Sequence, residues 1–578
     1  MENIESVRHS LAHLLAAAVL EHYPNARPTI GPAVDNGFYY DFEFAEPISE
    51  KDLNKIEKSM RKIAKGWTTF ERLEVTAAEA RERFAANPFK LELIDDIEAK
   101  GEAVTLYKSG DFTDLCRGGH VGNMQTVDLE GFKLERLAGA YWRGDESNKQ
   151  LTRIYGLAFP SKSELEAYVL QIEEAKKRDH RVLGKQLKIF TISDLIGPGL
   201  PLMQPNGMLI RQTIENYLWE LHADKGYSRV WTPHIAKEAL YETSGHAAKF
   251  GDELFRVQGK EDKFIMKPMN CPHHMQIFAD NQFSYRDMPI RYFEPATVYR
   301  DEKSGQLAGL TRVRAITQDD GHLFCRVSQI KDEVKTITDI IKRFYATMGM
   351  MDGYWVSLSV RGEDKSLYLG SDEIWTAAEE ALEEAAKAND LPYKRVEGEA
   401  AFYGPKLDFM FKDAIGRQWQ LATIQCDFNL PERFDLSFIN ESGEKERPVV
   451  IHRAISGSLE RFMGIMIEHF AGAFPTWLSP LQVIVLPVSE KHQAYAQQVQ
   501  EVLRSAGVRA EASLENETLG KKIRGAKTRK IPYLLVVGDK EAESGTITVE
   551  KRGTEKGQAM DLDRFVAAIT QEIQGRSL

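Results

Sequence analysis

The hydrophobic positions change period along the chain, and each change marks an element. NGFYYDFEF (Asn36 to Phe44) sets a turn dipeptide before an alternating aromatic run, which predicts a strand. Residues 1–160 mix such signals with helical patterns. SKSELEAYVLQIEEAKKRDHRVL (161–183) opens with Ser-x-x-Glu and runs without Gly or Pro, predicting one capped connecting helix. Residues 184–479 form the largest block, with apolar, β-branched segments between Gly- and Pro-rich turns. After TWLSP, residues 480–578 read strand (LQVIVLPV), helix to Ser505, strand (VRAEAS), basic helix, strand (IPYLLVVG). Strands alternating with helices predict a small α/β domain with a mainly parallel sheet. There is no internal repeat.

At 578 residues the chain is too long for one hydrophobic core, and about three or four domains are expected. No apolar run approaches the roughly 18 residues a membrane span needs. MENIESVRHS has no basic segment leading into an apolar core, so no secretory signal is expected. A cytoplasmic protein without membrane contact is the expectation. Four cysteines in so long a chain do not make a disulfide framework. The net charge of −11 argues against unspecific nucleic-acid binding, but a specific RNA partner stays open. KKIRGAKTRK (Lys521 to Lys530) carries six basic residues and no acid. It fits a phosphate-contacting strip and a solvated helix face about equally.

The segment from Arg300 to Phe324 changes the picture. Arg300 and Glu302 lie two apart and would share one face of a strand, with Arg312 and Arg314 resuming the alternation after a loop, GQLAGL. An arginine fork suits a phosphate and a carboxylate suits an amine; a surface hairpin of salt bridges explains the same residues. Farther on, GSLERF places Arg461 at the start of an apolar helix. Together these segments resemble motifs 2 and 3 of class II aminoacyl-tRNA synthetases, and GYSRVWTPHI (Gly226 to Ile235) resembles motif 1, the dimer element. Cys271 (MNCPHH), His322 (QDDGH) and His452 (IHRAISG) each stand beside such a motif and supply a thiolate and two imidazoles, three zinc ligands with a fourth position left open. They resemble the Cys/His/His site of the threonyl-tRNA synthetase family; Cys325, His273 and His274 are set aside because only the other three match that pattern.

That resemblance covers the chain from residue 1, and its implications are specific. It implies a multidomain α+β and α/β protein: an α+β editing domain (1–160), a linker helix (161–183), a class II catalytic core on an antiparallel sheet (184–479) and an α/β anticodon-binding domain (480–578). It implies one zinc ion per chain in the catalytic domain, on Cys271, His322 and His452. Threonine and valine are near isosteres that an apolar pocket separates by only about 10²; a metal gripping amine and hydroxyl rejects valine. Asp320 would accept from the threonine hydroxyl, with Gln318, Tyr403 and Gln425 completing the pocket and Lys406 joining the catalytic set. Arg300 would bridge carboxylate and α-phosphate, and Arg461 would hold the γ-phosphate. Glu302, Arg312, Ile316, Gln420 and Thr423 would serve ATP, which arrives with Mg²⁺. Ile316 stands where the family usually has an aromatic residue. Partners implied are tRNA(Thr), L-threonine, ATP and a second copy in a homodimer.

Serine keeps the amine and the hydroxyl and lacks only a methyl, a difference of about 1–3 kcal/mol, so hydrolytic correction is expected. HSLAH places His9 and His13 four apart on a helix, and CRGGH places Cys116 and His120 four apart across a glycine turn. No Glu follows His9 as a zincin requires. The pairing resembles the editing domain shared by threonyl- and alanyl-tRNA synthetases, and the resemblance adds Lys90 and Asp114; whether a metal sits there stays open. Bacterial members carry a TGS domain ahead of this one, and it is expected to be missing here. In the C-terminal segment the family approaches the anticodon through the basic helix, Glu541 and TITVEKR, where Glu550 replaces a commonly basic residue. A synthetase-derived RNA-binding regulator and a stand-alone seryl-tRNA hydrolase are the competing readings, and the intact Arg300, Arg461 and Cys/His/His set speaks against both.

Overall fold

The computed structural model describes residues 3–554 and 556–578, and the chain forms two compact units, Met1–Glu173 and Glu174–Leu578. In the first unit, Asn3 caps the helix Ile4–His22, whose apolar side (Leu11, Leu14, Leu15, Val19) is fully buried. That helix packs with the helix Glu50–Ala64 over a five-stranded antiparallel sheet. The predicted aromatic strand is there, Gly37–Glu43, entered through Asn36 at a φ of 62°. It lies between Arg27–Pro28 and Gln150–Ala158, and Phe132–Tyr141 forms the far edge. A separate antiparallel sheet joins Glu71–Val75, Val104–Ser109 and Phe112–Leu115.

The second unit is built on an eight-stranded sheet. Its order is Tyr227–Arg229, Ile290–Tyr299, Ala315–Cys325, Val449–Ser458, Gln418–Asp427, Lys406–Lys412, Trp355–Val360, Tyr393–Glu397. The outermost pairing at each edge is parallel and every other is antiparallel. The helices Pro205–Ala223, Ile330–Thr347 and Leu459–His469 bury their apolar residues with one face of it in one core. Residues 481–578 bring a second sheet with its own core.

Three expectations need correction. The connecting helix is not single: it runs Lys162–Arg178 and restarts as His180–Gln186. Ser161 caps it as expected, accepting from the Glu164 amide at 3.3 Å. Asp179 then leaves helical geometry (φ −48°, ψ 117°) and accepts from the Arg181 amide, so a capping residue inside the run ends one helix and starts the next. The C-terminal sheet is mixed, not mainly parallel. Val483–Pro487 pairs parallel with Ala510–Ala512 and with Tyr533–Val537, but Thr546–Lys551 and Gln558–Asp561 add antiparallel. The short passage between Val537 and Thr546 cannot make the crossover of a dozen or more residues that a parallel neighbour needs. Finally, Arg300, Glu302, Arg312 and Arg314 lie outside the paired strands, in the connection between Ile290–Tyr299 and Ala315–Cys325.

Candidate active sites

Antiparallel register aligns the central site. Lys406 stands opposite Gln425, Gln425 opposite His452, and His452 opposite His322, a row across four neighbouring strands. Directly opposed residues share a face, so all four side chains issue on the same side. The helix Cys271–Ala279 presents its first residue there, and one donor atom from each of Cys271, His322 and His452 lies within 4.8 Å of the other two. All three are buried. Burial holds the His322 imidazole well below its ordinary pKa and pushes the Cys271 thiol well above its own. The outer ring nitrogens are committed: His452 Nε2 lies 2.8 Å from Asp427, and His322 Nδ1 lies 2.8 Å from His274 Nδ1, whose own Nε2 is 3.1 Å from Glu294. Against its burial, hydrogen bonds from His274 and Asn270 and the nearby Lys267 hold Glu294 down at about 2. Asp320 is buried and its Oδ2 has no hydrogen-bond partner.

Beside this cluster lies a cavity of about 630 Å³. Arg300, Glu302, Arg312, Ile316, Gln318, Gln420, Thr423 and Arg461 all line it. Ser458 caps the helix Leu459–His469 and accepts from the Arg461 amide. Trp419 also lines the cavity, with the Arg461 guanidinium 5.7 Å from its ring centre, so an aromatic wall exists although residue 316 is isoleucine. Glu302 is paired with Arg312 at 2.7 Å, and Lys406 with Asp408 at 2.6 Å. Tyr403 donates to Gln425 at 2.5 Å and stacks on His452.

The first unit holds a second cluster. His9, His13, Cys116 and His120 each offer a donor atom within 4.8 Å of the others. Cys116 Sγ is 3.5 Å from His9 Nε2 and 3.3 Å from His120 Nε2. Burial pushes the Cys116 thiol up to about 11; burial, then His13 and His9, drive His120 down to about 2. Lys90 Nζ lies 2.5 Å from Asp114, both buried, and Tyr40 donates to the same carboxylate. A cavity of about 710 Å³ is lined by His9, His13, Tyr40, Lys90, Asp114 and Cys116. Ser10 fixes the ring of His120, 3.2 Å from its Nδ1.

Residues 104–155 match the threonyl and alanyl tRNA synthetase second additional domain, 255–470 the class II core domain of tRNA synthetases (G, H, P, S and T), and 482–572 an anticodon binding domain. A threonine–tRNA ligase of Gloeobacter violaceus is 47% identical over 586 residues, covering 100% of this chain and 93% of its own. This chain belongs to the threonine–tRNA ligase family. A Rubrobacter xylanophilus member is 47% identical over 100% of this chain and 90% of its own. Among solved structures, the RNA binding domain of threonyl-tRNA synthetase from Cryptosporidium parvum superposes with a TM-score of 0.65 at 36% identity, covering 68% of this chain and 98% of that one. A class II core, an editing-type module and an anticodon-binding module thus make up this threonine–tRNA ligase family member. No described helix is long and apolar enough to cross a membrane.

The basic strip of the anticodon-binding module forms the helix Leu519–Thr528, but acids answer much of its charge. Lys521 pairs with Glu517, Lys527 with Glu550 at 2.6 Å, and Arg529 with Glu511. Residues that pattern reading leaves out are Tyr40, Ser10, Glu294, Asp427 and Trp419, and His274, set aside as a zinc ligand, stands instead behind His322. Only His274 had a local signal: it follows Cys271 by three positions on one helix, so both face the same way.

Proposed function

We propose that this chain activates threonine with ATP, transfers it to tRNA(Thr), and hydrolyses seryl-tRNA(Thr) at its second cluster. The convergence of Cys271, His322 and His452 beside Asp320 carries this reading. Their chemistry fits a zinc ion: a thiol and two imidazoles, each imidazole held by an outer partner, around a buried carboxylate oxygen that lacks a donor. Held by these three residues, zinc would supply a Lewis acid toward the amine and hydroxyl of the substrate. Asp320 accepts from the hydroxyl; Gln318, Tyr403 and Gln425 shape the pocket, and Lys406 lies on the same row. Arg300 and Arg461 neutralise the triphosphate, which enters with Mg²⁺, while Glu302, Arg312, Ile316, Gln420 and Thr423 hold the nucleotide. Attack of the carboxylate on the α-phosphorus forms the threonyl-adenylate and breaks the bond to the β-phosphate, releasing pyrophosphate, by positioning and charge neutralisation and without a side-chain nucleophile.

In the editing site, the Lys90–Asp114 pair fixes one wall, and the neutral imidazoles of His9, His13 and His120 leave lone pairs to orient a water at the seryl ester. The domain limits are 1–160, 161–183, 184–479 and 480–578, and the protein acts as a cytoplasmic homodimer. Threonine-dependent pyrophosphate exchange tests the reading. Zinc-replete protein is expected to exchange, and Cys271→Ser to lose both the metal and exchange. His9→Ala should keep exchange while seryl-tRNA accumulates. Absence of exchange in the zinc-replete wild type would defeat the proposal.

A further inference from the structure

His180 lies outside the nucleotide cavity, yet it is buried and both of its ring nitrogens are engaged. Nδ1 is 2.6 Å from Glu468 Oε1, and the same carboxylate oxygen accepts from the His180 backbone amide at 3.1 Å. Nε2 accepts the Leu310 amide at 3.0 Å. An acceptor at Nε2 and a carboxylate at Nδ1 require the neutral ring with its proton on Nδ1. Leu310 belongs to the loop between Arg300 and Arg314, and its neighbours Ala308, Thr311 and Arg312 line the cavity. The approach is close. Gly309 has a φ of +54°, and a side-chain carbon there would lie 2.2 Å from His180 Nε2.

Glu468 reaches the opposite wall with its other oxygen. Oε2 accepts from Arg417 at 2.5 Å, Arg417 pairs with Asp413 at 2.7 Å, and Asp413 accepts from the Trp419 indole at 3.0 Å. Trp419 lines the same cavity from the strand Gln418–Asp427. One polar chain, Leu310–His180–Glu468–Arg417–Asp413–Trp419, therefore spans behind the cavity and ties its loop wall to its strand wall.

We propose that His180 is a positioning residue for ATP: with Glu468 it holds the 300–314 loop at a fixed distance from Trp419. The inference rests on reading this cavity as the nucleotide site. The threonine pocket at Cys271, His322 and His452 lies outside this polar chain, and Arg300 at the loop base is held separately, its amide donating to the Arg314 carbonyl at 3.0 Å, so the effect should fall on ATP alone. His180→Asn keeps a donor toward Glu468 and removes the acceptor for Leu310. Its KM for ATP in pyrophosphate exchange is expected to rise about five- to tenfold, the worth of one hydrogen bond, with the KM for threonine and the bound zinc unchanged. Gly309→Ala pushes the loop off His180 from the other side and is expected to do the same. The double variant should be no worse than the worse single one, because both remove the same contact.

A wild-type ATP KM in either single variant, an equal rise in the threonine KM, or effects that multiply in the double variant would overturn the proposal. If His180→Asn does not fold, Gly309→Ala alone decides. Direct titration of wild-type protein with Mg·ATP separates the two levels. No binding there defeats the nucleotide reading itself, whereas binding with unaltered variants defeats only the role of His180.

Discussion

Of the four cysteines, Cys116 alone is partly accessible; Cys271, Cys325 and Cys426 are buried. Burial raises the Cys116 thiol to about 11, and the imidazoles beside it are driven down, so no proton moves between them at neutral pH. The sign is simple: an acid with a raised pKa stays protonated until the pH approaches the new value. Alkylation by iodoacetamide at pH 7.5 is expected to run more than about 100-fold slower than for an unperturbed thiol. It should then climb about tenfold per pH unit up to pH 9. Mass spectrometry of the labelled peptide reads this directly; rapid labelling at pH 7 would mean a stabilised thiolate, and the neutral cluster would be wrong. At this scale the sequence discloses residue types with distinctive chemistry, and the family resemblance chose among them the Cys and His donors of both clusters that the structure brings together. The sequence does not disclose partners whose types are ordinary. Tyr40 meets Asp114 across 74 positions, and Asp427 meets His452 across 25, and nothing local marks either carboxylate or hydroxyl as special.

At the scale of elements, the strand Ala315–Cys325 shows how the fold sets the site. Its Asp320 and His322 face the donor cluster while Gly321, between them, faces the other way and stands opposite Arg453. A side-chain carbon at 321 would sit 2.5 Å from the Arg453 guanidinium carbon, in space already filled. Arg453 cannot yield easily, since it is buried and donates to the Asp319 carbonyl at 2.5 Å. Gly321→Ala is expected to destabilise this unit by about 1–3 kcal/mol by overpacking, seen as a lower thermal midpoint, with the zinc content of folded protein unchanged. A variant as stable as wild type would show that the Arg453 pocket is slack. Element types were legible where a periodic run has one reading, as in the aromatic strand of the first unit. They were not where a single residue overrides the run. Asp179 is an acceptable helix residue by propensity, and only the burial of His180 against Glu468 makes a break worth its lost hydrogen bonds.

At the scale of the whole molecule, the eight-stranded sheet leaves the strand Tyr227–Arg229 at its edge, paired on one side only. An open edge invites another chain, and natural proteins cover or blunt it. Here Trp231, two residues past the end of the strand, is 73% exposed. A large aromatic side chain beside an unpaired edge is the kind of residue that anchors an interface. The sequence segment around it resembles the dimer element of class II synthetases, and the geometry supplies what such an element needs: an unpaired edge and an apolar anchor beside it. Wild-type protein is therefore expected to sediment as a dimer of 65.5 kDa chains. Trp231→Ala should weaken association by at least about 30-fold, as for a central interface anchor worth 2 kcal/mol or more. The melting of the first unit should stay unaltered, because that unit has its own core. Exchange activity in the variant should recover as protein concentration rises, which separates a lost interface from a damaged fold. A wild type that remains monomeric at micromolar concentration would leave Trp231 unexplained and remove the dimer from this reading.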